Sequence, residues 1–296
     1  MNYKPILIVH GEPNSIFLEI FFKAIKNKKY KSPLILICSL RVLKFQMKKL
    51  KFNKKIKLIK IEDIKVNKLS NNFINLIDVN YKSKINFGKI SKESSPYIKK
   101  SFETAFKILK SRLTYKLING PISKKFFLGK KFLGITEYIS QEFGSKNFAM
   151  LIFNKKLSVC PITTHTPLKF VTKSISQKII MDKIFLINAF FKKRLKYKPK
   201  IALLGLNPHC ETTHKFNEDE KILKPLILKL KKKKLKISGP YPADTCFLKN
   251  NRIKFDVIVG MYHDQVLTPI KTLFEYDAIN ITLGLPFTRI SPDHGP

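Results

Sequence analysis

The sequence lacks tryptophan, has few arginines and few acidic residues, and contains no long uncharged hydrophobic run. Asp and Glu total 20 against 58 Lys and Arg, which gives a formal net charge of +38. Because no apolar stretch reaches about 18 residues, we expect no membrane span, and the first residues, MNYKPILIVHGEPNS, predict no signal peptide. We therefore expect a cytoplasmic protein whose 296 residues form a sizeable core.

Cysteine is scarce, and its spacing indicates free thiols. The four cysteines lie far apart and form no Cys-x-x-Cys pair; they are Cys38, Cys160, Cys210 and Cys246. Each lies in or beside an apolar segment, which predicts small buried core residues in a reducing compartment.

The excess of positive charge suggests nucleic-acid binding, but the type of cation argues against it. Only five of the cations are arginines, and arginine is the usual reader of bases and phosphates. Lysines are spread through almost every segment, and the densest cluster, KLKKKKLK at 229–236, is typical of a solvated helix end. We expect no specific nucleic-acid partner, although a basic nucleic-acid-binding module stays an alternative because charge supports non-specific binding.

Short hydrophobic runs alternate with amphipathic segments of helical period along the chain. The runs predict strands at 5–9, 33–38, 115–119, 148–153, 157–163, 200–206, 255–262 and 277–284. The segments 95–111 and 174–193 have helical periodicity. This alternation predicts an α/β fold with a mostly parallel sheet. The Lys- and Asn-rich span 48–92 has weaker periodicity and is interpreted as a variable insertion or part of a second lobe.

Three histidines follow predicted strands directly: His165, His209 and His263. Ligands of open α/β sheets bind at the carboxyl ends of the strands. A single histidine in that position is more often structural, but three together favour a divalent metal that polarises a substrate oxygen.

Five motifs follow one another in the second half of the chain: THTPL at 164–168, GLNPH at 205–209, GPYPADT at 239–245, YHDQVLTPIK at 262–271 and INITLGLPFTRISPDHG at 279–295. In order and spacing they resemble the motifs of the 4-hydroxythreonine-4-phosphate dehydrogenase family of vitamin B6 biosynthesis. NGPISK at 119–124 and GITEY at 134–138 are also similar to that family. The resemblance implies one two-lobed catalytic unit over 1–296, of the isocitrate and isopropylmalate dehydrogenase type. It further implies a homodimer whose active site lies in the interlobe cleft at the subunit interface.

The resemblance also implies roles for individual residues. His165, His209 and His263 match the ligands of a divalent metal (Zn, Mg or Co), contributed by both subunits. The positions that match substrate-binding residues are Thr136, Lys271, Asn280 and Arg289. Asp264 and Asp244 are weak candidates for proton transfer, and a structural role is an equal alternative for both.

The implied reaction is oxidation of 4-phosphooxy-L-threonine with NAD or NADP. Its product is a β-keto acid that decarboxylates to 3-amino-2-oxopropyl phosphate. Lysine and arginine suit the anionic groups of such a substrate. The sequence has no Gly-x-Gly-x-x-Gly motif, which argues against a Rossmann dehydrogenase but not against this family.

Several positions depart from the family pattern. Ile135 replaces the histidine that precedes the family's threonine, and GEPNSIFLEI at 11–20 lacks several of the family's glycines. CETTHKFNEDE at 210–220 replaces a Gly-rich loop, and Val266 replaces a glycine. The sequence ends at SPDHGP, where the family continues through a helical segment, so we expect a shortened or an incomplete protein.

These departures leave other functions open. One is a dehydrogenase for another phosphorylated hydroxy acid, which Ile135 suggests. The other is a degenerate protein without catalysis.

Overall fold

The computed structural model describes residues 3–27, 29–129, 131–132, 134–213 and 216–292. The chain divides into two compact units: unit 1 comprises residues 1–138 and 286–296, and unit 2 comprises residues 139–285. The last three residues of the fifth motif, 293–295, lie outside the described residues, as do 214 and 215 of the altered loop.

The strands are short and mostly apolar. In chain order they are β1 (Ile6–Val9), β2 (Leu34–Cys38), β3 (Ile56–Leu58), β4 (Ile74–Asp78), β5 (Lys116–Asn119), β6 (Ala149–Phe153), β7 (Ser158–Pro161), β8 (Ile201–Leu204), β9 (Ile237–Tyr241), β10 (Val257–Gly260), β11 (Ile279–Leu283) and β12 (Thr288–Ser291).

Helices separate most of these strands. They are α1 (Phe17–Asn27), α2 (Leu40–Lys49), α3 (Ser95–Lys110), α4 (Ile135–Glu142), α5 (Val171–Ser174), α6 (Gln177–Phe190), α7 (Lys224–Lys232), α8 (Ala243–Cys246), α9 (Lys249–Arg252) and α10 (His263–Phe274). No helix in the described part of the chain is long and apolar enough to cross a lipid bilayer.

Unit 1 contains a parallel sheet in the order β3-β4-β2-β1-β5-β12. Its central strands are buried on both faces, which explains why they are continuously hydrophobic. The carboxyl ends of all six strands therefore lie at one edge, and their amino ends lie at the other.

Unit 2 contains strands in the order β11-β6-β7-β10-β8-β9. The pairs β7–β10, β10–β8 and β8–β9 are parallel, whereas β6 is antiparallel to both of its neighbours. The ends of β7, β10 and β8 consequently bring the segments after them to the same edge of the sheet.

The predicted α/β fold with a mostly parallel sheet is confirmed, and all eight predicted strands are present. The patterns missed β3, β4, β9 and β12. The span 48–92, interpreted as a variable insertion or part of a second lobe, lies in unit 1 together with the N-terminal strands: β3 pairs with β4, and β4 pairs with β2. The helical segments correspond to α3 and α6, the latter continued by a π-helical turn over Phe191–Leu195.

The four cysteines are free and buried, as the sequence predicts. Burial raises the pKa of the Cys38 thiol to about 12 and those of Cys160, Cys210 and Cys246 to about 11. All four thiols therefore stay protonated near neutral pH and are poor nucleophiles.

Candidate functional site

Backbone hydrogen bonds continue the pairing of β7 and β10 beyond the strands themselves. Ile162 N donates to Gly260 O at 2.8 Å, and Thr163 N donates to Met261 O at 3.0 Å. The Thr163 hydroxyl donates to the same carbonyl at 2.8 Å. The two chains thus leave the sheet side by side, which fixes the positions of the histidines that follow.

His165 and His263 lie together at this edge. Their ring centroids are 5.7 Å apart, with 36° between the planes. His263 is the first residue of α10, and its Nδ1 lies 2.7 Å from Asp264 Oδ1. A carboxylate on Nδ1 fixes the ring and would leave Nε2 as the candidate metal-binding atom, an arrangement that is usual for metal-bound imidazole. This contact gives Asp264 an orienting role.

Gln265 has a structural role, unlike the preceding residues His263 and Asp264. Its Oε1 accepts from Met261 N at 2.6 Å, and its Nε2 donates to Gly205 O at 2.7 Å. The side chain is buried and joins the ends of β10 and β8. It therefore sets the spacing between the segments that carry His263 and His209.

His209 lies in an exposed turn after β8, with a left-handed backbone (φ 54°). The turn is held by Asp219, whose side chain is fully buried. Asp219 accepts from Leu206 N at 2.8 Å, from Asn207 N at 3.1 Å and from Asn207 Nδ2 at 2.8 Å. Asp219 is therefore a positioning residue for the His209 turn.

Asp219→Asn is expected to weaken divalent-metal binding about 10- to 100-fold, the usual effect of losing an outer partner of a metal ligand. The amide group keeps the shape of the carboxylate, but its NH₂ cannot accept a bond from Leu206 N or Asn207 N. Competition with a chromophoric chelator measures the affinity.

The matched control for Asp219→Asn is Asp256→Asn. Asp256 also accepts from a backbone amide, that of Lys200 at 2.7 Å, but it precedes the amino end of β10. An equal loss of metal affinity in the two variants would contradict the positioning role of Asp219.

The described residues contain no group of three His, Cys, Asp or Glu side chains arranged to hold a metal. The chain brings His165 and His263 together but does not group His209 with them. A borderline divalent ion prefers imidazole, and the His165–His263 pair with its orienting carboxylate fits such an ion as part of a donor set.

The other predicted residues of unit 2 lie on neighbouring elements. Lys271 is in the last turn of α10, with its Nζ 5.8 Å from the ring centroid of Tyr276. Asn280 is in β11, and its buried Oδ1 accepts no hydrogen bond from the described residues. Asp244, in the first turn of α8, is exposed and accepts from Thr245 N at 2.9 Å, which fits a local capping role.

In unit 1 the predicted residues Arg289 and Thr136 are in contact. Arg289 is fully buried in β12; its Nε donates to Asn119 Oδ1 at 2.7 Å and its Nη1 to Thr136 Oγ1 at 3.3 Å. Burial lowers the pKa of Arg289 to about 10, and the charge of Glu137 opposes this shift. Arg289 thus connects the end of β5 to the first turn of α4.

Ile135 is the first residue of α4 and is half-buried. It precedes Thr136, so the departure from the family pattern lies beside the Arg289 contact. An alkyl side chain at this position cannot donate a hydrogen bond, unlike the histidine it replaces.

The retained glycine of the GEPNSIFLEI segment has a steric explanation. Gly11 has φ +78°, and a Cβ there would lie 2.4 Å from Pro121 O. The next residue, Glu12, is buried and accepts from Ser94 Oγ at 2.8 Å, while desolvation raises its pKa. This loop is tightly packed after β1.

Sequence reasoning missed Asn119, Asp219 and Gln265. Asn119 and Gln265 lie inside the motifs NGPISK and YHDQVLTPIK, so the motifs themselves could have identified them. Asp219 lies in the altered loop, and only its proximity to the β8 end reveals its role.

The sequence is similar to those of known proteins over nearly its whole length. A family model described as pyridoxal phosphate biosynthetic protein PdxA matches residues 29–296. The 4-hydroxythreonine-4-phosphate dehydrogenase of Sulfurihydrogenibium sp. is 39% identical over 296 residues, which cover 98% of this chain and 89% of the relative. The D-threonate 4-phosphate dehydrogenase of Salmonella typhimurium is 31% identical over 302 residues, covering 100% of this chain and 92% of the relative.

The fold comparison gives the same result. A crystal structure of 4-hydroxythreonine-4-phosphate dehydrogenase from Klebsiella pneumoniae superposes with a TM-score of 0.80 at 27% identity, covering 99% of this chain and 91% of that chain. The family model and these nearly full-length similarities establish that the chain belongs to the PdxA family of pyridoxal phosphate biosynthetic proteins.

Proposed function

We propose that the protein oxidises 4-phosphooxy-L-threonine with NAD or NADP, in pyridoxal phosphate biosynthesis. The secondary alcohol loses hydride to the nicotinamide and a proton to the solution, and the resulting β-keto acid loses CO₂ to give 3-amino-2-oxopropyl phosphate. The observation that carries the proposal is the His165–His263 pair with its orienting Asp264, in a chain 39% identical to a 4-hydroxythreonine-4-phosphate dehydrogenase.

The side chains of unit 2 have distinct tasks in this reaction. His165 and His263 would hold a divalent ion (Zn, Mg or Co), which when bound supplies Lewis-acid polarisation of a substrate oxygen. Lys271 lies about 12 Å along α10 from His263, given a rise of about 1.5 Å per residue, and its proposed partner is an anionic group at the far end of a small substrate. The buried Oδ1 of Asn280 is an acceptor suited to a hydroxyl or ammonium donor.

The side chains of unit 1 act on substrate position. Thr136 provides a hydroxyl in the first turn of α4, and the buried Arg289 donates a hydrogen bond to that hydroxyl. Because Arg289 is fully buried, we propose that it acts mainly through Thr136 and Asn119. The cleft between two lobes stays a prediction from the family resemblance.

The test is reduction of NAD⁺ or NADP⁺ with 4-phosphooxy-L-threonine, measured with added Zn²⁺, Mg²⁺ or Co²⁺ and with a chelator. Metal-dependent formation of reduced nicotinamide together with CO₂ would support the proposal. Absence of turnover with either nicotinamide and every metal, in protein that is folded by its melting curve, would refute it.

We further propose a homodimer in which the metal donors come from both copies. The basis is that the chain groups only two of the three predicted histidines. Mixing inactive His209→Ala with inactive His263→Ala, followed by subunit exchange, is then expected to restore part of the turnover. Each mixed dimer would contain one site with both histidines, and no recovery after proven exchange would place the donors in one chain.

A second candidate substrate is the 4-phosphate of threonate or a similar phosphorylated hydroxy acid. Ile135 favours it, because the family's histidine is missing where Thr136 lies, and a relative 31% identical is named a D-threonate 4-phosphate dehydrogenase.

Ile135→His is expected to lower KM for 4-phosphooxy-L-threonine about 10- to 100-fold, since a charge-assisted bond contributes about 1.5 to 3 kcal/mol. The gain should grow below pH 7, where imidazolium is more populated. Steady-state kinetics against both substrates measure it. If the wild type prefers the threonate phosphate and the variant loses that preference, Ile135 determines substrate specificity instead. If neither KM nor the substrate preference changes, Ile135 has only a packing role.

The compartment proposed for this reaction is a reducing one such as the cytoplasm. The support is the set of four buried thiols that form no disulfide.

A further inference from the structure

Unit 1 contains a cavity of about 590 Å³, and none of the predicted site residues is among its described lining residues. It lies at the amino ends of β2 and β4, between these strands and α1. Asn119, which contacts Arg289, lies at the carboxyl end of β5 in the same parallel sheet. The cavity is therefore at the opposite edge of the sheet from that contact, and its volume is in the range of small-molecule sites.

The walls of the cavity are fixed by side-chain amides. Asn71 Nδ2 donates to Tyr30 O at 2.9 Å and to Ser32 O at 3.0 Å, while its Oδ1 accepts from Leu34 N at 2.9 Å. Asn75 Nδ2 donates to Leu34 O at 2.9 Å. These bonds join the segment after α1 to the segment before β4, so the cavity is a preorganised feature of the fold.

The lining combines apolar and aromatic side chains with lysines. Phe21, Leu34 and Leu36 are buried, and Tyr30 and Phe73 add two further aromatic rings. Three lysines also line the cavity: Lys26, Lys29 and Lys54. Lys26 and Lys29 lie at the end of α1 and just after it, Lys54 precedes β3, and no carboxylate is among the described lining residues.

Each of these features selects one property of a ligand. Three lysines around one cavity favour a phosphate over a single-charged group, because lysine binds phosphate as a point charge. The aromatic lining residues favour a planar ring, and the exposed amide of Asn72 offers hydrogen bonds to ring substituents.

We propose that this cavity binds a phosphorylated aromatic heterocycle, with its ring between Tyr30 and Phe73 and its phosphate at Lys29 and Lys54. The site is separate from the proposed dehydrogenase residues and does not depend on that activity. A phosphorylated pyridine and a purine nucleotide share this chemistry, and the experiment distinguishes them.

The experiment is isothermal titration calorimetry of the full chain with pyridoxine 5′-phosphate, AMP and inorganic phosphate. Pyridoxine 5′-phosphate is chosen because it has no aldehyde to react with lysines. One of the two organic phosphates is expected to bind at least about tenfold more tightly than inorganic phosphate, since the ring adds apolar burial. Whichever binds more tightly identifies the ring.

Two variants locate the binding. Lys29→Gln/Lys54→Gln is expected to weaken the organic phosphate about tenfold or more, and Phe73→Ala to weaken it without affecting inorganic phosphate. The matched control is Lys229→Gln/Lys232→Gln, which removes the same charge from exposed positions of α7. Hydrogen exchange should show ligand-dependent protection of the backbone amides of 71–75.

Three outcomes would overturn the proposal. One is equal affinity for inorganic and organic phosphate, which would indicate adventitious anion binding. Another is an equal loss of affinity in the α7 control, which would indicate a general effect of net charge. The third is unchanged binding in Lys29→Gln/Lys54→Gln with a wild-type melting curve, which would place the ligand elsewhere.

Discussion

The His209→Ala variant is expected to lose its bound divalent metal and at least about 10³-fold in kcat/KM, because a Lewis acid contributes several kcal/mol to the transition state. Its stability should stay within about 1 kcal/mol of the wild type. His209 is exposed in a turn that Asp219 and Asn207 hold, so the imidazole supports little packing. Metal analysis after dialysis, steady-state kinetics and thermal melting give the three quantities.

The control for this variant is Glu211→Ala, an exposed substitution two residues further along the same turn. It alters the turn without removing an imidazole, so it should retain metal and turnover. Undiminished metal stoichiometry in His209→Ala would remove His209 from the donor set. Equal losses in both variants would assign the effect to the turn.

The strands predicted from the sequence are those whose buried residues form a continuous hydrophobic run in the sequence. β2, LILIC, is buried at every position, so its hydrophobic run indicates a strand in a parallel sheet. β4, INLID, contains Asn75, and asparagine in a sequence is more typical of a loop than of a strand. In the fold Asn75 is fully buried because its amide donates to Leu34 O and Ser70 O. That compensation depends on a residue about forty positions away and is invisible in a local pattern.

β12, TRIS, was missed for a related reason. A short segment centred on arginine predicts an exposed polar stretch, since arginine is seldom fully buried without partners. Its partners, Asn119 and Thr136, are 170 and 153 residues away in sequence. Only the pairing of β12 with β5 brings them together.

The candidate site was predictable in residue type but not in grouping. Histidines after strands β7 and β10 were expected to converge, and the pairing of those strands puts His165 beside His263. His209 lies in a turn after β8 that Asp219 holds, and no strand pattern encodes that turn. The roles of the predicted substrate residues stay predictions.

Arg289→Lys is expected to lower the free energy of unfolding by about 2 to 4 kcal/mol and kcat/KM about 10- to 100-fold. The lysine ammonium group keeps the charge. It lacks the planar guanidinium group that donates one hydrogen bond to Asn119 Oδ1 and another to Thr136 Oγ1. Chemical denaturation and steady-state kinetics measure the two effects. The matched control is Arg112→Lys, an exposed arginine of the same unit, for which both effects should be small.

The pH dependence of Arg289→Lys separates burial of charge from loss of geometry. Burial already lowers the pKa of Arg289 to about 10, and an ammonium is more strongly hydrated than a guanidinium, so a lysine there would be penalised further. When the pKa of a base is lower in the folded state, the unfolded state binds more protons between the two pKa values, and stability rises with pH across that window. The stability difference between Arg289→Lys and Arg112→Lys should therefore shrink as the pH rises from about 7 to about 9. A difference that stays constant would mean that the lost bonds to Asn119 and Thr136, rather than the buried charge, account for the whole effect.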